Sequence, residues 1–170
     1  LIVNDQLGDR IDYILDGGEC TVGLESTIVS LVEAPTVLRL GGLSLEAIRK
    51  VIPSIHVYIH SSSKPSAPGM LESHYAPKKS IELKESFDHT SINDFFEIGA
   101  LVFQDYLERI PKENQFVLSS TGNINEAARR LFTGLRALDA KPTIKRIITE
   151  FVPDEGLGRA IKDRLKRATA

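Results

Sequence analysis

Ser26 and Thr27 stand side by side in Gly23-Leu24-Glu25-Ser26-Thr27-Ile28-Val29, at the head of an apolar run. A hydroxyl both donates and accepts a hydrogen bond, which suits an amino-acid carboxylate, an amine or a phosphate. If the run is a strand, alternation sends the two side chains to opposite faces, so only one of them meets a given ligand. A plain Ser/Thr turn at a strand start fits the same residues. Arg39 is the second candidate, a single guanidinium in Val37-Leu38-Arg39-Leu40 beside Gly41-Gly42. A charge in an apolar strand must find an anionic partner or reach water. The glycines would let a phosphate approach, and the guanidinium fork matches phosphate geometry. A structural ion pair or a side chain reaching out to water would satisfy the pattern equally.

The third candidate is the stiff run Ala67-Pro68-Gly69-Met70-Leu71-Glu72-Ser73-His74-Tyr75-Ala76-Pro77. An aromatic next to an imidazole in such a loop could close over a nucleobase or ribose, or simply strap two domains together. The fourth is Asp154-Glu155-Gly156-Leu157-Gly158 ahead of a helix. A helix N-terminus attracts anions, but the acidic pair disfavours a phosphate, so an ordinary helix start is the simpler reading. The helix that follows carries Arg159, Lys162, Arg164, Lys166 and Arg167. Cations near a helix C-terminus are favoured anyway; a weak tRNA-facing patch is a secondary reading.

Other chemistries lack their residues. There is no Walker loop, no His-Glu-x-x-His, no Gly-x-Ser-x-Gly and no dinucleotide fingerprint. His56 and His60 lie on a segment that alternates like a strand, where positions four apart are about 13 Å distant, so they read as a solvent-facing pair rather than a metal site. Ser61-x-x-Lys64 matches a serine–lysine pair only within a Ser-rich stretch, where such a match is cheap. The single cysteine, Cys20, excludes an internal disulfide and a zinc cluster; it reads as a small buried hydrophobe and points to a reducing, cytoplasmic setting. With 21 basic and 23 acidic residues among 170, no overall field draws nucleic acid or membrane. No apolar run approaches the roughly 20 residues of a membrane span, and the N-terminus does not read as a signal peptide.

The elements that must position these residues follow from patterning. Strands are expected over 10–15, 25–32 and 35–40, then a helix capped by Ser44 and ended by Pro53. The segment 61–69, rich in Ser, Pro and Gly, is a boundary. Beyond it, strands are expected over 80–83, 99–103, 115–118 and 144–152, with a short helix over 91–96. The stripe Ile124, Ala127, Ala128, Leu131, Leu135, Leu138 predicts an amphipathic helix opened by Asn123, and a last helix spans 156–168. Alternating strands and helices predict an α/β layer with a mostly parallel sheet.

In order, Asp12-x-Ile14-Leu15-Asp16-Gly17-Gly18, Gly23–Val29, Leu38-Arg39-x-Gly41, Pro68-Gly69-Met70-x-x-x-His74-Tyr75-Ala76-Pro77 and Glu155-Gly156-Leu157-Gly158-x-Ala160-Ile161-x-Asp163-Arg164-Leu165 resemble the two-domain threonylcarbamoyl-AMP synthases. The resemblance covers essentially the whole chain. It implies the C-terminal part of a YrdC-like α/β catalytic domain (residues 1–60), a Pro/Gly linker (61–78), and a small Rossmann-like α/β domain with a mostly parallel sheet (79–170). It implies an enzyme that makes threonylcarbamoyl-adenylate and pyrophosphate from L-threonine, bicarbonate and ATP, with magnesium accompanying the nucleotide. The product feeds the transferase machinery that modifies position 37 of tRNA. By the same resemblance Ser26, or alternatively Thr27, contacts threonine. Arg39 and Tyr75 contact the nucleotide, and the linker with Pro68, Gly69 and His74 closes over the cleft. No residue need be a covalent nucleophile. The sequence also departs from the family: the Lys-x-Arg and Ser-x-Asn motifs that line its ATP site have no counterpart in residues 1–60, Ser30 replaces an Asp, and Leu40 replaces a Pro. These departures imply a synthase fragment whose activity alone is doubtful, with an exposed sheet edge. A noncatalytic nucleotide- or RNA-binding module derived from the enzyme is the alternative.

Overall fold

A computed structural model describes residues 2–18, 20–58, 77–84 and 94–169. The chain opens with a short helix, α1 (Ile2–Leu7), and a 3-10 turn over Gly8–Arg10. The strand expected over 10–15 is absent. Tyr13 is 93% and Leu15 100% exposed, and a strand without a neighbouring strand or a buried face has nothing to hold it extended in a sheet.

Among the described residues the first sheet has three strands in the order β1 (Ile28–Ser30), β2 (Thr36–Arg39), β3 (His56–Val57). β1 runs antiparallel to β2, and β3 runs parallel to it. Between β2 and β3 lies α2 (Leu45–Arg49), where the Ser44 hydroxyl accepts from the Ala47 N–H at 3.2 Å, as its place before the helix requires. Val37, Leu40, Leu45, Ile48 and Ile55 form the core of this layer. β1 is an edge strand of this sheet, and the loop after it exposes Leu31 and Val32.

Among the described residues the second sheet is parallel throughout: β4 (Ser80–Lys84), β7 (Arg146–Glu150), β5 (Ile98–Val102), β6 (Gln115–Val117), in that spatial order. β5 is buried along its whole length, as a central parallel strand is. The helix α3 (Ile124–Asp139) begins at Asn123, whose side chain accepts from the Asn125 and Glu126 N–H groups. Its apolar stripe buries Leu131, Leu135 and Leu138 against Leu101, Leu118, Ile144 and Ile147, each such side chain contributing about 1.5–3 kcal/mol. At its far end Asp139 accepts the backbone N–H groups of Lys78 and Lys79, at 3.2 and 3.0 Å, and so anchors the chain's entry to β4. α4 (Gly158–Ala168) lies beside α3, with Ile161 and Leu165 in the same core. The expected short helix over 91–96 falls partly outside the described residues; Phe95–Glu97 forms a 3-10 turn.

α4 joins the two layers. Its Ile161 and Leu165 enter the core of the parallel sheet, while Ala160 packs with Val37, Leu40 and Ile48 in the core of the other. Leu24 packs against both cores.

At the C-terminal end of β7, the half-buried Glu150 carboxylate accepts the Phe103 N–H at 2.6 Å. Burial, aided by the nearby charge of Asp105, raises its pKa above the ordinary 4.5, against the opposing pull of the Phe103 bond. A raised folded-state pKa favours folding most at low pH and loses that contribution as pH rises through it. Glu150→Gln keeps the acceptor without the charge. The variant is expected to be more stable than wild type at pH 7, with the gap closing toward pH 4, as read by urea unfolding at each pH.

Candidate substrate-binding site

Ser26 and Thr27 precede β1 rather than lying within it, so strand alternation does not separate them; their hydroxyls are assigned by local bonding. Thr27 Oγ1 donates to the Leu43 carbonyl at 2.7 Å and accepts the Leu43 N–H at 3.1 Å. It ties the approach to β1 onto the turn after β2. Ser26 is exposed and meets Arg39 instead. The Arg39 Nε and Nη2 both donate to the Ser26 carbonyl, at 3.1 and 2.9 Å, and Nη2 also reaches Ser26 Oγ at 3.2 Å. The strand arginine thus holds both a carbonyl and a hydroxyl of the neighbouring segment, and brings a positive charge to the exposed serine.

Glycine makes this closeness possible. A Cβ on Gly41 would lie 2.2 Å from the Glu25 carbonyl oxygen and 2.5 Å from both the Ser26 carbonyl carbon and the Thr27 nitrogen. Gly42 N–H donates to that same Glu25 carbonyl at 2.8 Å. Residues 25–27 therefore lie directly on the Gly41-Gly42 turn, which sets the distance between Ser26 and Arg39.

Other expected features resolve differently. Cys20 is exposed, not buried; it lies in an irregular stretch just before Val22, where the chain first packs against a core. The basic residues of α4 are mostly engaged. Arg164 and Arg167 are buried and bonded to Asp163, Arg164 also to Glu25, Arg159 pairs with Glu46, and Lys162 lies 3.6 Å from Asp154. The Arg159 guanidinium holds Glu46 below the usual carboxylate range. Of that basic set Lys166 alone is exposed, so the helix does not present a basic stripe to a nucleic acid. Gly156, at φ +51°, and Gly158, whose Cβ would strike the Pro153 carbonyl, make a tight helix entry as the simpler reading had it. His56 is exposed on β3. His60, Ser61, Lys64, Pro68, Gly69, His74 and Tyr75 lie outside the described residues.

Among the described residues no three His, Cys, Asp or Glu side chains gather to hold a metal ion. Glu25, the carboxylate next to Ser26, is bound to Arg164. No described helix is long and apolar enough to cross a membrane.

The architecture is an α/β protein with a parallel sheet, carrying a hydroxyl–guanidinium pair where the segment before β1 meets β2 of the smaller sheet. A family model described as the C-terminal domain of threonylcarbamoyl-AMP synthase matches residues 43–170, and one described as telomere recombination matches residues 2–41. The chain belongs to the threonylcarbamoyl-AMP synthase family. The threonylcarbamoyl-AMP synthase of Pyrococcus abyssi is 36% identical over 173 residues, covering 94% of this chain and 50% of that protein. That of Bacillus subtilis is 32% identical over 178 residues, covering 98% and 51%. The crystal structure of P. abyssi Sua5 complexed with L-threonine superposes with a TM-score of 0.81 at 32% identity, covering 98% of this chain and 52% of that one. The chain thus spans about half the length of the curated relatives it matches.

Proposed function

We propose that this chain supplies part of the substrate site of an L-threonylcarbamoyladenylate synthase. In that reaction the threonine amine and bicarbonate give a carbamate and water. A carbamate oxygen then attacks the α-phosphorus of ATP and pyrophosphate leaves. The observation that carries the reading is the Ser26–Arg39 pair, an exposed hydroxyl held beside a guanidinium. It stands in a chain similar to a structure complexed with L-threonine. Ser26 rather than Thr27 contacts threonine, because the Thr27 hydroxyl already donates to and accepts from Leu43. Arg39 offers its charge to the nucleotide, alongside Tyr75 from the linker that includes Pro68, Gly69 and His74. Positioning and charge stabilisation, not a covalent intermediate, do the chemistry. Magnesium arrives with ATP.

Residues 1–60 form part of the catalytic domain, 61–78 the linker and 79–170 the second domain. The exposed β1 edge and the exposed Leu31 and Val32 support a catalytic unit completed by elements beyond these 170 residues. The regulatory RNA-binding alternative draws no support from α4, whose arginines are engaged. The test is an omission series on the complete synthase containing this chain, following pyrophosphate release. Release that needs threonine, bicarbonate and ATP together is expected; release indifferent to threonine would contradict the reading.

A further inference from the structure

Four consecutive residues ahead of Ser26 are docked on the C-terminal α/β layer. Val22 and Leu24 pack against its core. Gly23, at φ +76°, lies so close to α3 that a Cβ would sit 2.4 Å from the Arg129 Cα. The Glu25 carboxylate accepts from Arg164 of α4 through Nε at 3.2 Å and Nη2 at 3.0 Å. Arg164 is 1% exposed, and its Nη1 donates to Asp163 at 2.9 Å. Asp163 in turn accepts Arg167 Nε. Two carboxylates and two guanidiniums thus alternate in one chain of bonds, which lets α4 bury its arginines without leaving a charge uncompensated.

The backbone of Glu25 serves the other side. Its carbonyl accepts the Gly42 N–H, and the next residue is Ser26, held by Arg39. Glu25 is therefore gripped by α4 through its side chain and by the Gly41-Gly42 turn through its main chain. A helix 139 positions downstream fixes the entry to the hydroxyl.

We infer that Arg164 is a positioning residue for the threonine site, acting through Glu25 to fix where the Ser26 hydroxyl stands. This rests on the proposed assignment of Ser26 to threonine. The buried arginine has more than a structural consequence because its partner adjoins a substrate contact, and small displacements of such contacts are costly.

The test uses the complete synthase containing this chain, with steady-state kinetics in threonine and in ATP separately. Glu25→Gln keeps side-chain size and an oxygen acceptor for Arg164, and is expected to fold with a lowered Tm because the buried guanidinium loses one charged partner. It is expected to raise the threonine KM about tenfold while the ATP KM moves less than about threefold. Arg164→Gln should give the same split, Arg164→Lys should recover part of it, and Glu25→Gln with Arg164→Gln together should be no worse than the poorer single variant. If Arg164→Gln fails to fold, the Glu25→Gln result decides alone. A folded Glu25→Gln enzyme with a lowered Tm and an unchanged threonine KM would overturn the positioning role. A wild-type synthase that shows no dependence on threonine would instead overturn the substrate assignment beneath it.

Discussion

Arg39→Ala is expected to lower the ATP-dependent kcat/KM of the complete synthase by about 100-fold or more, the scale seen when one well-placed donor to a developing charge is removed. Two losses combine. On the proposed function, the site loses the cation that Arg39 offers to the nucleotide. The Ser26 carbonyl and hydroxyl also lose the guanidinium that spans both, at 2.9 and 3.2 Å from Nη2. Arg39→Lys should recover only a part, because an ammonium carries the charge without the planar fork. Separate KM values for ATP and threonine, with fold checked by circular dichroism, make the measurement. Unchanged nucleotide affinity and turnover in Arg39→Ala would remove Arg39 from the site.

Gly41→Ala is expected to be the most damaging single-methyl change near the site. The added carbon would meet backbone at 2.2–2.5 Å on three atoms of residues 25–27. Backbone cannot swing aside as a flexible side chain does, so the segment carrying Ser26 must move off the turn, breaking the Gly42–Glu25 bond. Overpacking of this kind costs about 1–3 kcal/mol or more. The damage should be local. Hydrogen exchange should rise around residues 25–43 while the core of α3, β5 and β7 keeps its protection, and activity should fall with it. A Gly41→Ala enzyme with wild-type turnover would show that the close approach is not needed for the site.

Local chemistry was legible in the sequence. Asn123 and the stripe from Ile124 to Leu138 predict α3 because cap and stripe lie within one helix, and Ser44 opens α2 for the same reason. The parallel sheet was legible from strands alternating with helices. Partners distant in sequence were not. Arg164 and Lys166 sit two residues apart on one basic helix, yet one is buried against Glu25 and Asp163 and the other exposed. Only the fold brings residue 25 to residue 164. The expected strand over 10–15 had the right residues without a neighbour to pair with. The different hydrogen bonds of Ser26 and Thr27 depend on irregular backbone before β1 that alternation does not describe. The pattern around Gly41 predicts room for a phosphate, whereas in the fold Gly41 lets backbone approach backbone, as Gly23 does against α3.

On the proposed function, this chain holds part of a threonylcarbamoyl-adenylate-forming site that other catalytic-domain elements complete. Mass spectrometry of a reaction containing ATP, magnesium, L-threonine and bicarbonate tests it directly, run with the purified chain alone and with the remaining half of a family catalytic domain supplied. Threonylcarbamoyl-adenylate is expected only in the second reaction, and is expected to be lost there with Arg39→Ala. Product from the chain alone, or none in either reaction, would contradict it.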